Sequence, residues 1–346
     1  MIPLPPDAPA WQSALRRIRQ AGPRPLIACS GGADSVALAA LCACLPSAPD
    51  WSPVLGHVNH HLRPDSDNDQ RIVLQTATRL GLPCRVVELD PSPILTHANG
   101  LEAGARQQRY DALCAMADDV GATAILTAHH AQDRLETALL HLAEGTGIRG
   151  LAGPLASTRW RREHGAALPV LRPLLELWPE DLRTWLGALG LPWTEDPSNL
   201  DQRFARNRLR AEVIPPFRAM ARPAGLVRSL AQLAADADLL DQLLRPHLDD
   251  VVLRRSPGQV LIDRVMLAKR DLELRGALLL RLVGEVSHGR VDSRFVNEVA
   301  TRTPEKGTLT LLGHQVRAEL STRHIRIGGT TDPRTPLALM PGTPSG

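Results

Sequence analysis

The feature that most constrains the fold is an alternation of short apolar runs with longer amphipathic stretches, which fills the first half of the chain. Short apolar runs favour buried strands, and apolar residues at helical spacing favour helices. The predicted strands are 26–29, 54–58, 85–89 and 124–127, and the predicted helices are 10–21, 36–45, 67–80, 101–120 and 132–142. This order predicts an α/β fold, in which helices cover both faces of a parallel sheet.

The rest of the chain has a different pattern. Residues 156–167 are basic and are predicted to be irregular, and a helix is expected to end before Pro215–Pro216. A leucine-rich helical stretch follows over 223–253. We predict a catalytic domain over 1–216, a smaller, mostly helical domain with short strands over 217–328, and a disordered tail over 329–346.

Composition excludes several classes of protein. With 346 residues, of which 43% are hydrophobic, the chain can bury a sizeable core, which a disordered protein cannot. It has no apolar run of the ~20 residues that a membrane helix needs, and its start lacks the features of a secretory signal. Five cysteines without a CxxC pair indicate reduced thiols rather than disulfides or a zinc site. We therefore expect a cytoplasmic protein without a membrane partner.

Arginine dominates the basic residues. The formal net charge is only +3, but Lys269 and Lys306 are the two lysines among 40 basic residues. The planar guanidinium group suits recognition of phosphates and bases. A GC-rich genome would also enrich arginine, so this composition alone predicts no nucleic-acid partner.

The segment SGGADS lies between a predicted strand and a predicted helix; its residues are Ser30, Gly31, Gly32, Ala33, Asp34 and Ser35. Glycines permit unusual backbone angles, and amides at a helix start point toward an anion, so the segment predicts a site for the phosphates of ATP. The common P-loop has a lysine that is missing here, whereas Asp34 places a carboxylate beside the phosphates. Such a carboxylate needs an intervening cation, and Mg²⁺ is the expected one. A tight turn without a ligand is the alternative.

The segment Thr127–Thr137 (TAHHAQDRLET) also follows an apolar strand. His129, Asp133 and Glu136 are spaced so that they share one face of a helix start. His129 is expected to contact phosphate, and Glu136 to bind an ammonium group. Asp133 is expected to hold Mg²⁺ together with Asp34. The alternatives are a solvated helix start and a zinc site, but the spacing matches no common zinc motif.

Two further segments contain candidate phosphate ligands. Arg109, in a predicted helix, is a candidate clamp for phosphate or adenylate, with an ordinary surface arginine as the alternative. The run 203–210 has no acidic residue, and its basic density suits a nucleic-acid backbone; the arginines are Arg203, Arg206, Arg208 and Arg210. A solvated basic face would also explain this run. The segment 57–63 (HVNHHLR) is a weaker candidate, since histidines at strand ends are often structural.

Together these segments resemble the tRNA(Ile)-lysidine synthase family of PP-loop ATP pyrophosphatases, which have an adenine nucleotide α-hydrolase-like fold. The matching pieces occur in family order over roughly 24–216: SGGADS, HVNHHLR, ARQQRY, TAHHAQDRLET, RGLAG, LRPLL and the run from DPSN through RNRLR. SGGADS alone marks only the superfamily, and the set as a whole is far more specific.

The resemblance implies a reaction in which ATP activates the C2 oxygen of the wobble cytidine in the CAU anticodon of tRNA(Ile), with release of pyrophosphate. The ε-amine of free L-lysine then attacks C2 and expels AMP, which leaves lysidine. The roles implied are catalysis for Asp34, His129, Asp133 and Arg109, Mg²⁺ binding for Asp34 and Asp133, lysine binding for Asp133 and Glu136, and tRNA binding for Arg203, Arg206, Arg208 and Arg210. The sequence makes no prediction of an oligomeric state.

Three other functions stay open on the sequence. A thiolating PP-loop enzyme would use paired cysteines or an iron–sulfur cluster. A small-molecule synthetase of the same superfamily would not need the basic run 203–210. A non-enzymatic RNA-binding module would turn over no nucleotide and would tolerate Asp34→Asn.

Overall fold

The computed structural model describes most of the chain. The described residues are 3, 5–45, 50–61, 65–92, 101–160, 167–195, 202–203, 205–256, 258–287, 291, 293–302, 308–313, 316–330 and 337, with the side chains of 101–103 excepted. The DPSN segment (196–199) lies outside the described residues, and so does most of the tail whose disorder the sequence predicts. Leu337 within that tail is described and is buried. The chain divides into two compact units, Met1–Asp236 and Ala237–Gly346.

The first unit is built around a six-stranded sheet. Its strands are β1 (Pro25–Ala28), β2 (Val54–Asn59), β3 (Cys84–Glu88), β4 (Ala124–Leu126), β5 (Ser157–Trp160) and β6 (Leu168–Leu171). The helices through the end of this sheet region are α1 (Pro9–Arg19), α2 (Ala33–Cys44), α3 (Ser66–Leu80), α4 (Leu101–Asp119), α5 (Ala131–Glu144), α6 (Ile148–Leu151) and α7 (Pro179–Leu189). Each strand and helix predicted for the first half of the chain is present, with its ends shifted by a few residues.

The order of the strands places the loops after β1 and β4 together. The sheet runs β3–β2–β1–β4–β6–β5, and all neighbouring strands are parallel except β5 and β6. Central strand β1 pairs with β2 on one side and β4 on the other, and its Leu26 and Ile27 are fully buried. Strands this apolar suit a parallel sheet that is covered by helices on both faces. Ligands of such sheets bind beyond the carboxyl ends of neighbouring strands.

Strand β5 corrects the prediction that residues 156–167 are irregular. It pairs antiparallel with β6 at the edge of the sheet. Exposed and less exposed residues alternate along it, a period-2 pattern that its basic composition obscures in the sequence. Trp160 stacks on Tyr110 of α4 with the ring centroids 4.3 Å apart, so the edge strand is held by aromatic packing. Residues 161–166 lie outside the described residues.

Helix α2 is buried along most of its length. The side chains of Val36–Cys42 are fully inaccessible, and their small volumes let α2 pack closely on α7. Trp11 of α1 packs edge to face against Trp185 of α7, with the ring centroids 5.3 Å apart. Burial of apolar side chains of this kind contributes roughly 1.5–3 kcal/mol each. This packing fixes the position of α2 and, with it, the loop that leads into its N-terminus.

A helical run from Ala205 to Met220 corrects the prediction that a helix ends before Pro215–Pro216. One α-helical turn, α8 (Ala205–Arg208), passes into a π-helix (Leu209–Val213) and then into α9 (Ile214–Met220). The prolines fall in the first turn of α9, where a missing N–H leaves no acceptor of the helix unsatisfied. π-Helical segments are rare, and many occur at functional sites.

The long helix α10 (Pro223–Val251) crosses the division between the two units, whereas the sequence-based boundary near 216–223 precedes it. The second unit contains β7 (Val252–Ser256), β8 (Gln259–Asp263), α11 (Arg264–Ala268), α12 (Leu272–Val286), α13 (Ser293–Thr301), β9 (Leu309–Gly313), β10 (Val316–Leu320) and β11 (His324–Gly329). Its strands form an antiparallel sheet in the order β7–β8–β11–β10–β9. Apolar residues of α12 and α13 pack on this sheet and give the unit its own core.

None of the helices in the described part of the chain combines the length and the apolar character that crossing a membrane requires.

Candidate active site

The loop between β1 and α2 is closed on itself by hydrogen bonds. The amide of Ser30 donates to the hydroxyl of Ser35 (N–Oγ 3.1 Å), and that hydroxyl donates to the carbonyl of Gly32 (2.8 Å). Helix α2 begins at Ala33, and no side chain among the described residues caps it at Gly32. Its first amides therefore point into the loop without a side-chain acceptor, as in sites that bind phosphate at a helix start.

Gly31 is the position in this loop that requires glycine. Its φ angle is +91°, and a Cβ atom there would lie 2.9 Å from the carbonyl oxygen of Asp69. The carbonyl of Gly31 accepts a hydrogen bond from the amide of Thr194 (2.9 Å), and Gly32 and Thr194 form a parallel β-bridge. The loop is thus held between α3 and the strand-like segment at Thr194.

The carboxylates of Asp34 and Asp133 lie at opposite nitrogens of one imidazole ring. Nε2 of His130 is 3.5 Å from Oδ2 of Asp34, and Nδ1 of His130 is 3.4 Å from Oδ2 of Asp133. The loops after β1 and β4 therefore bring these two predicted residues into one site. Oδ1 of Asp34 is buried and has no hydrogen-bond partner among the described residues. A buried carboxylate oxygen without a partner is a place where a cation would be stabilised.

His130 is the site residue that the sequence reasoning missed. It is the N-cap of α5: its Nδ1 accepts a hydrogen bond from the amide of Asp133 (3.2 Å), and its own amide donates to the Asp133 carboxylate (3.0 Å). Burial alone would lower the pKa of His130, but the carboxylates of Asp133 and Asp34 outweigh burial and raise this pKa above its ordinary value. The spacing of a cap residue and an acid three positions later was the signal available in the sequence.

The predicted residue His129 lies beside this group and differs from it electrostatically. Its Nδ1 is 3.0 Å from the hydroxyl of Thr127. Burial lowers the pKa of His129 to about 4, and the positive charges of Arg172 and Arg106 lower it further. The negative charge of the nearby Asp133 acts to raise this pKa but does not outweigh these effects. His129 is therefore neutral at neutral pH and offers a hydrogen bond rather than a charge.

The pKa of Asp133 is held below its ordinary value. Burial acts to raise it, but the charge of His130, the charge that His129 gains in acid, the amide of His130 and the guanidinium of Arg210 together outweigh burial. Asp133 is therefore ionised at neutral pH, as a cation ligand must be.

Glu136 is fully buried, and two arginines of the basic run lie against it. Arg210 donates to both of its carboxylate oxygens, with Nη2 3.0 Å from Oε2, and Nε of Arg206 is 3.4 Å from Oε2. Gln132 also donates to Glu136 (3.0 Å), and Nη2 of Arg210 is 3.5 Å from Oδ1 of Asp133. Two arginines predicted to bind RNA thus contact the two carboxylates predicted to bind lysine. Long-range contacts of this kind have no local sequence signal.

The remaining predicted arginines, Arg203, Arg208 and Arg109, are all exposed. The charge of Arg109 contributes to lowering the pKa of both His60 and His129. The structure therefore places Arg109 near the histidines that follow β2 and β4.

The histidine segment after β2 has a structural role at its first position. His57 is buried, and its Nδ1 is 2.8 Å from the carbonyl of Cys29, the residue before the loop. Burial lowers the pKa of His60 to about 4, with contributions from the charges of Arg109 and His57. Asn59 hydrogen bonds Asp67 (3.2 Å) and Gln70 (3.1 Å) of α3. Leu62 and Arg63 lie outside the described residues.

The comparison with protein families defines the class. The PP-loop domain family matches residues 10–217, which include the glycine loop, His130, Asp133 and Glu136. The chain is therefore a PP-loop enzyme that uses ATP. A solved structure of a U34-tRNA thiolase from Methanococcus maripaludis has the same fold, with a TM-score of 0.51 at 12% identity over 65% of this chain and 80% of that chain.

Curated relatives narrow the class to one family. The tRNA(Ile)-lysidine synthase of Salinispora tropica is 43% identical over 259 residues, which are 72% of this chain and 75% of the relative. That of Thermus thermophilus is 35% identical over 329 residues, which are 91% of this chain and 61% of the relative. The chain belongs to the tRNA(Ile)-lysidine synthase family. The predicted family and fold class are confirmed, and the alternative of a non-enzymatic module is excluded.

Proposed function

We propose that this enzyme joins free L-lysine to C2 of the wobble cytidine in the CAU anticodon of tRNA(Ile), and that it splits ATP into AMP and pyrophosphate. The observation that supports this most directly is the meeting of Asp34 and Asp133 at His130, beside a glycine loop whose helix amides suit phosphate. A tRNA substrate also fits a cytoplasmic location.

The loop residues account for binding of ATP. Ser30, Gly31, Gly32, Ala33, Asp34 and Ser35 would surround the phosphates. Amides and hydroxyls donate to phosphate oxygens, and the absence of a side chain at Gly31 permits the bend that brings the amides together.

Asp34 and Asp133 are the residues that would hold Mg²⁺. Asp34 has a buried oxygen without a partner among the described residues, and Asp133 is ionised. The described part of the chain contains no cluster of three or more metal-binding side chains, which fits a Mg²⁺ ion that takes its other ligands from phosphates and water. When bound, Mg²⁺ would neutralise charge on the departing pyrophosphate.

The reaction proceeds in two steps because cytidine has no good leaving group at C2. The C2 oxygen of cytidine is a poor leaving group, so it attacks the α-phosphorus of ATP and forms an adenylate, while pyrophosphate leaves. The ε-amine of lysine forms the new C–N bond to C2, and AMP leaves with the oxygen. His129 and Arg109 would donate hydrogen bonds to the charge that develops on phosphate oxygens.

Lysine must attack as a neutral amine, although its free pKa is ~10.4. Asp133 and Glu136 are the carboxylates that would bind its ammonium group and receive its proton. Arg210 and Arg206 already contact these carboxylates, so lysine binding requires these arginines to move. Binding of RNA phosphates by Arg203, Arg206, Arg208 and Arg210, with the unit after 217 as a further RNA-binding domain, would supply that movement.

The cysteines argue against a thiolating reaction. Burial raises the pKa of the Cys44 thiol to about 11 and that of the Cys84 thiol, with Cys29 adding to it, also to about 11. Burial raises the pKa of Cys29 and Cys42 as well. Thiols of this kind hold little thiolate at neutral pH, and the thiolate is the form that carries sulfur or binds metal.

The test incubates the full chain with ATP, labelled lysine and a tRNA(Ile) transcript that carries the CAU anticodon. We expect label in the tRNA, together with AMP and pyrophosphate. Asp34→Ala and Asp133→Ala are each expected to lower pyrophosphate release by about a thousandfold, because the charge of the leaving group is then not neutralised.

Asp111→Ala, which removes an exposed carboxylate from α4, is the matched control and should leave the rate unchanged. Near-normal turnover by either active-site variant would disprove the assignment of these aspartates. Pyrophosphate release without label in the tRNA would disprove lysine as the second substrate.

A further inference from the structure

A cavity of about 390 Å³ lies on the side of Asp133 and His129 where α6 and β5 approach them. Four arginines from four different segments line it, namely Arg106, Arg149, Arg172 and Arg206. Its volume falls in the range of ~300–1,000 Å³ that is typical of ligand sites. The glycine loop is not part of its lining among the described residues, so the cavity adjoins the candidate active site at Asp133 and His129 without including the ATP cradle.

The charge of this cavity favours an anion. Asp133 is the acidic residue of its lining among the described residues, against four guanidinium groups. His129 adds no positive charge at neutral pH, because burial lowers its pKa to about 4. The lining is therefore strongly positive even with Asp133 ionised.

Arg172 is the buried arginine of the cavity lining, and hydrogen bonds fix its position. Its side chain is only 6% exposed, and Nη1 donates to the carbonyl of Leu155 (2.9 Å) and to the hydroxyl of Thr158 (3.1 Å). Arg172 is also hydrogen bonded to Tyr110, which stacks on Trp160. Its Nε has no partner among the described residues. The hydrogen bonds of Nη1 hold the guanidinium in place, so its positive charge is preorganised in the lining of the cavity.

Arginine forks suit phosphates and carboxylates, and the reaction mixture offers three such anions: the phosphates of ATP, the phosphodiesters of the RNA and the carboxylate of lysine. The phosphates of ATP are assigned to the glycine loop, which does not line this cavity among the described residues, so a phosphodiester of the RNA is the phosphate left for the cavity. Arg149 and Arg206 of the lining are exposed, so an extended polymer can reach them.

We propose that the arginine-lined cavity binds a backbone phosphate of the RNA substrate and so positions the nucleotide that reacts beside Asp133. This inference rests on the proposed function, since it assigns one part of the tRNA to one site. Arg106, Arg149 and Arg172 thereby become RNA-binding residues in addition to those of the basic run.

The test measures binding of the tRNA(Ile) transcript to the full chain over a series of salt concentrations. Arg149→Ala and Arg106→Ala change exposed side chains and should leave the fold intact. Each is expected to weaken RNA binding about tenfold, and to reduce the slope of log affinity against log salt by about one, because one phosphate contact is lost. Arg172→Lys keeps the charge but loses the fork, so its affinity should fall while its salt slope changes less.

Arg85→Ala, which removes an exposed arginine from β3, is the matched control and should bind RNA as the wild type does. An unchanged affinity and slope for Arg149→Ala and Arg106→Ala would overturn the proposal. So would a rise confined to the KM for ATP or to the KM for lysine, which would assign the cavity to nucleotide phosphates or to the amino-acid carboxylate.

RNA binding is read without catalysis, which separates this inference from the proposed reaction. If the wild-type protein forms no lysidine but the arginine variants bind RNA more weakly than it does, the proposed reaction is disproved and the phosphate site is supported. If the wild-type protein forms lysidine and the arginine variants bind RNA normally, the proposed reaction is supported and the phosphate site is disproved.

Discussion

At the scale of single residues, His130 has two separable functions. Its Nδ1 caps helix α5, and its Nε2 faces Asp34 across 3.5 Å. The capping contact belongs to stability, and the contact with Asp34 belongs to the arrangement of the active site. A pair of substitutions can separate the two.

We predict that His130→Ala lowers the free energy of unfolding by about 1 kcal/mol, the usual cost of losing an N-cap. His130→Asn should restore most of this stability, because asparagine is a good N-cap residue, yet its short side chain does not reach Asp34. Both variants should release pyrophosphate more slowly than the wild type. Denaturant unfolding and a pyrophosphate assay are the measurements, and full activity of His130→Asn would contradict the role of the contact with Asp34.

The sequence identified the site but not every residue in it. Asp34, Asp133 and Glu136 are found by their position after strands and by helical spacing. Helical spacing also selected His129, although the helix begins only at Ala131 and both histidines precede it; His130 is the N-cap, with an extended φ of −121°. A periodicity argument does not reach a cap residue, because the cap does not share the geometry on which the period depends.

At the scale of elements, the helical run 205–220 holds a charged contact inside the first unit. Glu136 is fully buried, and Arg210 from the π-helix donates to both of its oxygens. A buried charge that loses its partner is strongly unfavourable, whereas removing both charges is often neutral.

We predict that Arg210→Met lowers the free energy of unfolding by about 3–5 kcal/mol, since Glu136 then keeps the longer contact to Arg206 and the hydrogen bond from Gln132 but loses the charged pair that contacts both of its oxygens. The double substitution Arg210→Met with Glu136→Leu should recover most of this loss. A double-mutant cycle in denaturant measures the coupling. A loss below about 1 kcal/mol for the single variant would show that water screens the pair.

The elements also show where local patterns fail. Proline in the sequence predicted a helix end before Pro215–Pro216, but the π-helix shifts these prolines into the first turn of α9. Strand β5 was hidden by basic residues, and its order comes from its partner β6 and from the stacking of Trp160 on Tyr110. In both cases the deciding contacts come from elsewhere in the chain.

At the scale of the whole molecule, neutral buried histidines make the first unit sensitive to acid. The pKa of His60 is lowered to about 4, mainly by burial. Between pH 6.5 and 4 this imidazole is protonated in the unfolded chain and neutral in the folded one. The unfolded state therefore binds more protons, and stability falls as the pH falls through this window.

We predict that His60→Gln makes the free energy of unfolding fall less steeply as the pH is lowered from 6.5 to 4. The change in slope should correspond to the uptake of somewhat less than one proton on unfolding. All six tryptophans lie in the first unit, so tryptophan fluorescence follows its unfolding. Comparison of the two proteins at pH 7, where both side chains are neutral, isolates the packing cost of the substitution. An unchanged slope in acid would contradict the assigned pKa shift.

Most of the first unit's plan follows from the alternation of strands and helices, because each strand and helix has a strong local pattern. The order of the strands does not follow from that pattern. It depends on which apolar faces meet, and the same is true of the pairing of Arg210 with Glu136. In the second unit short strands were predicted, but β7 was not, since its start lies in the stretch 223–253 that was predicted as helical, and the assembly of the strands into one five-stranded sheet was not predicted either.

The hydrogen bond from Thr194 to the carbonyl of Gly31 ties the glycine loop to a residue that the ribosome adds much later. During translation, the motif emerges long before the segment that secures it. A nascent chain that ends before Thr194 contains the residues of the glycine loop but not the amide that hydrogen bonds to Gly31. The loop therefore gains this hydrogen bond only after all six strands of the sheet have been synthesised.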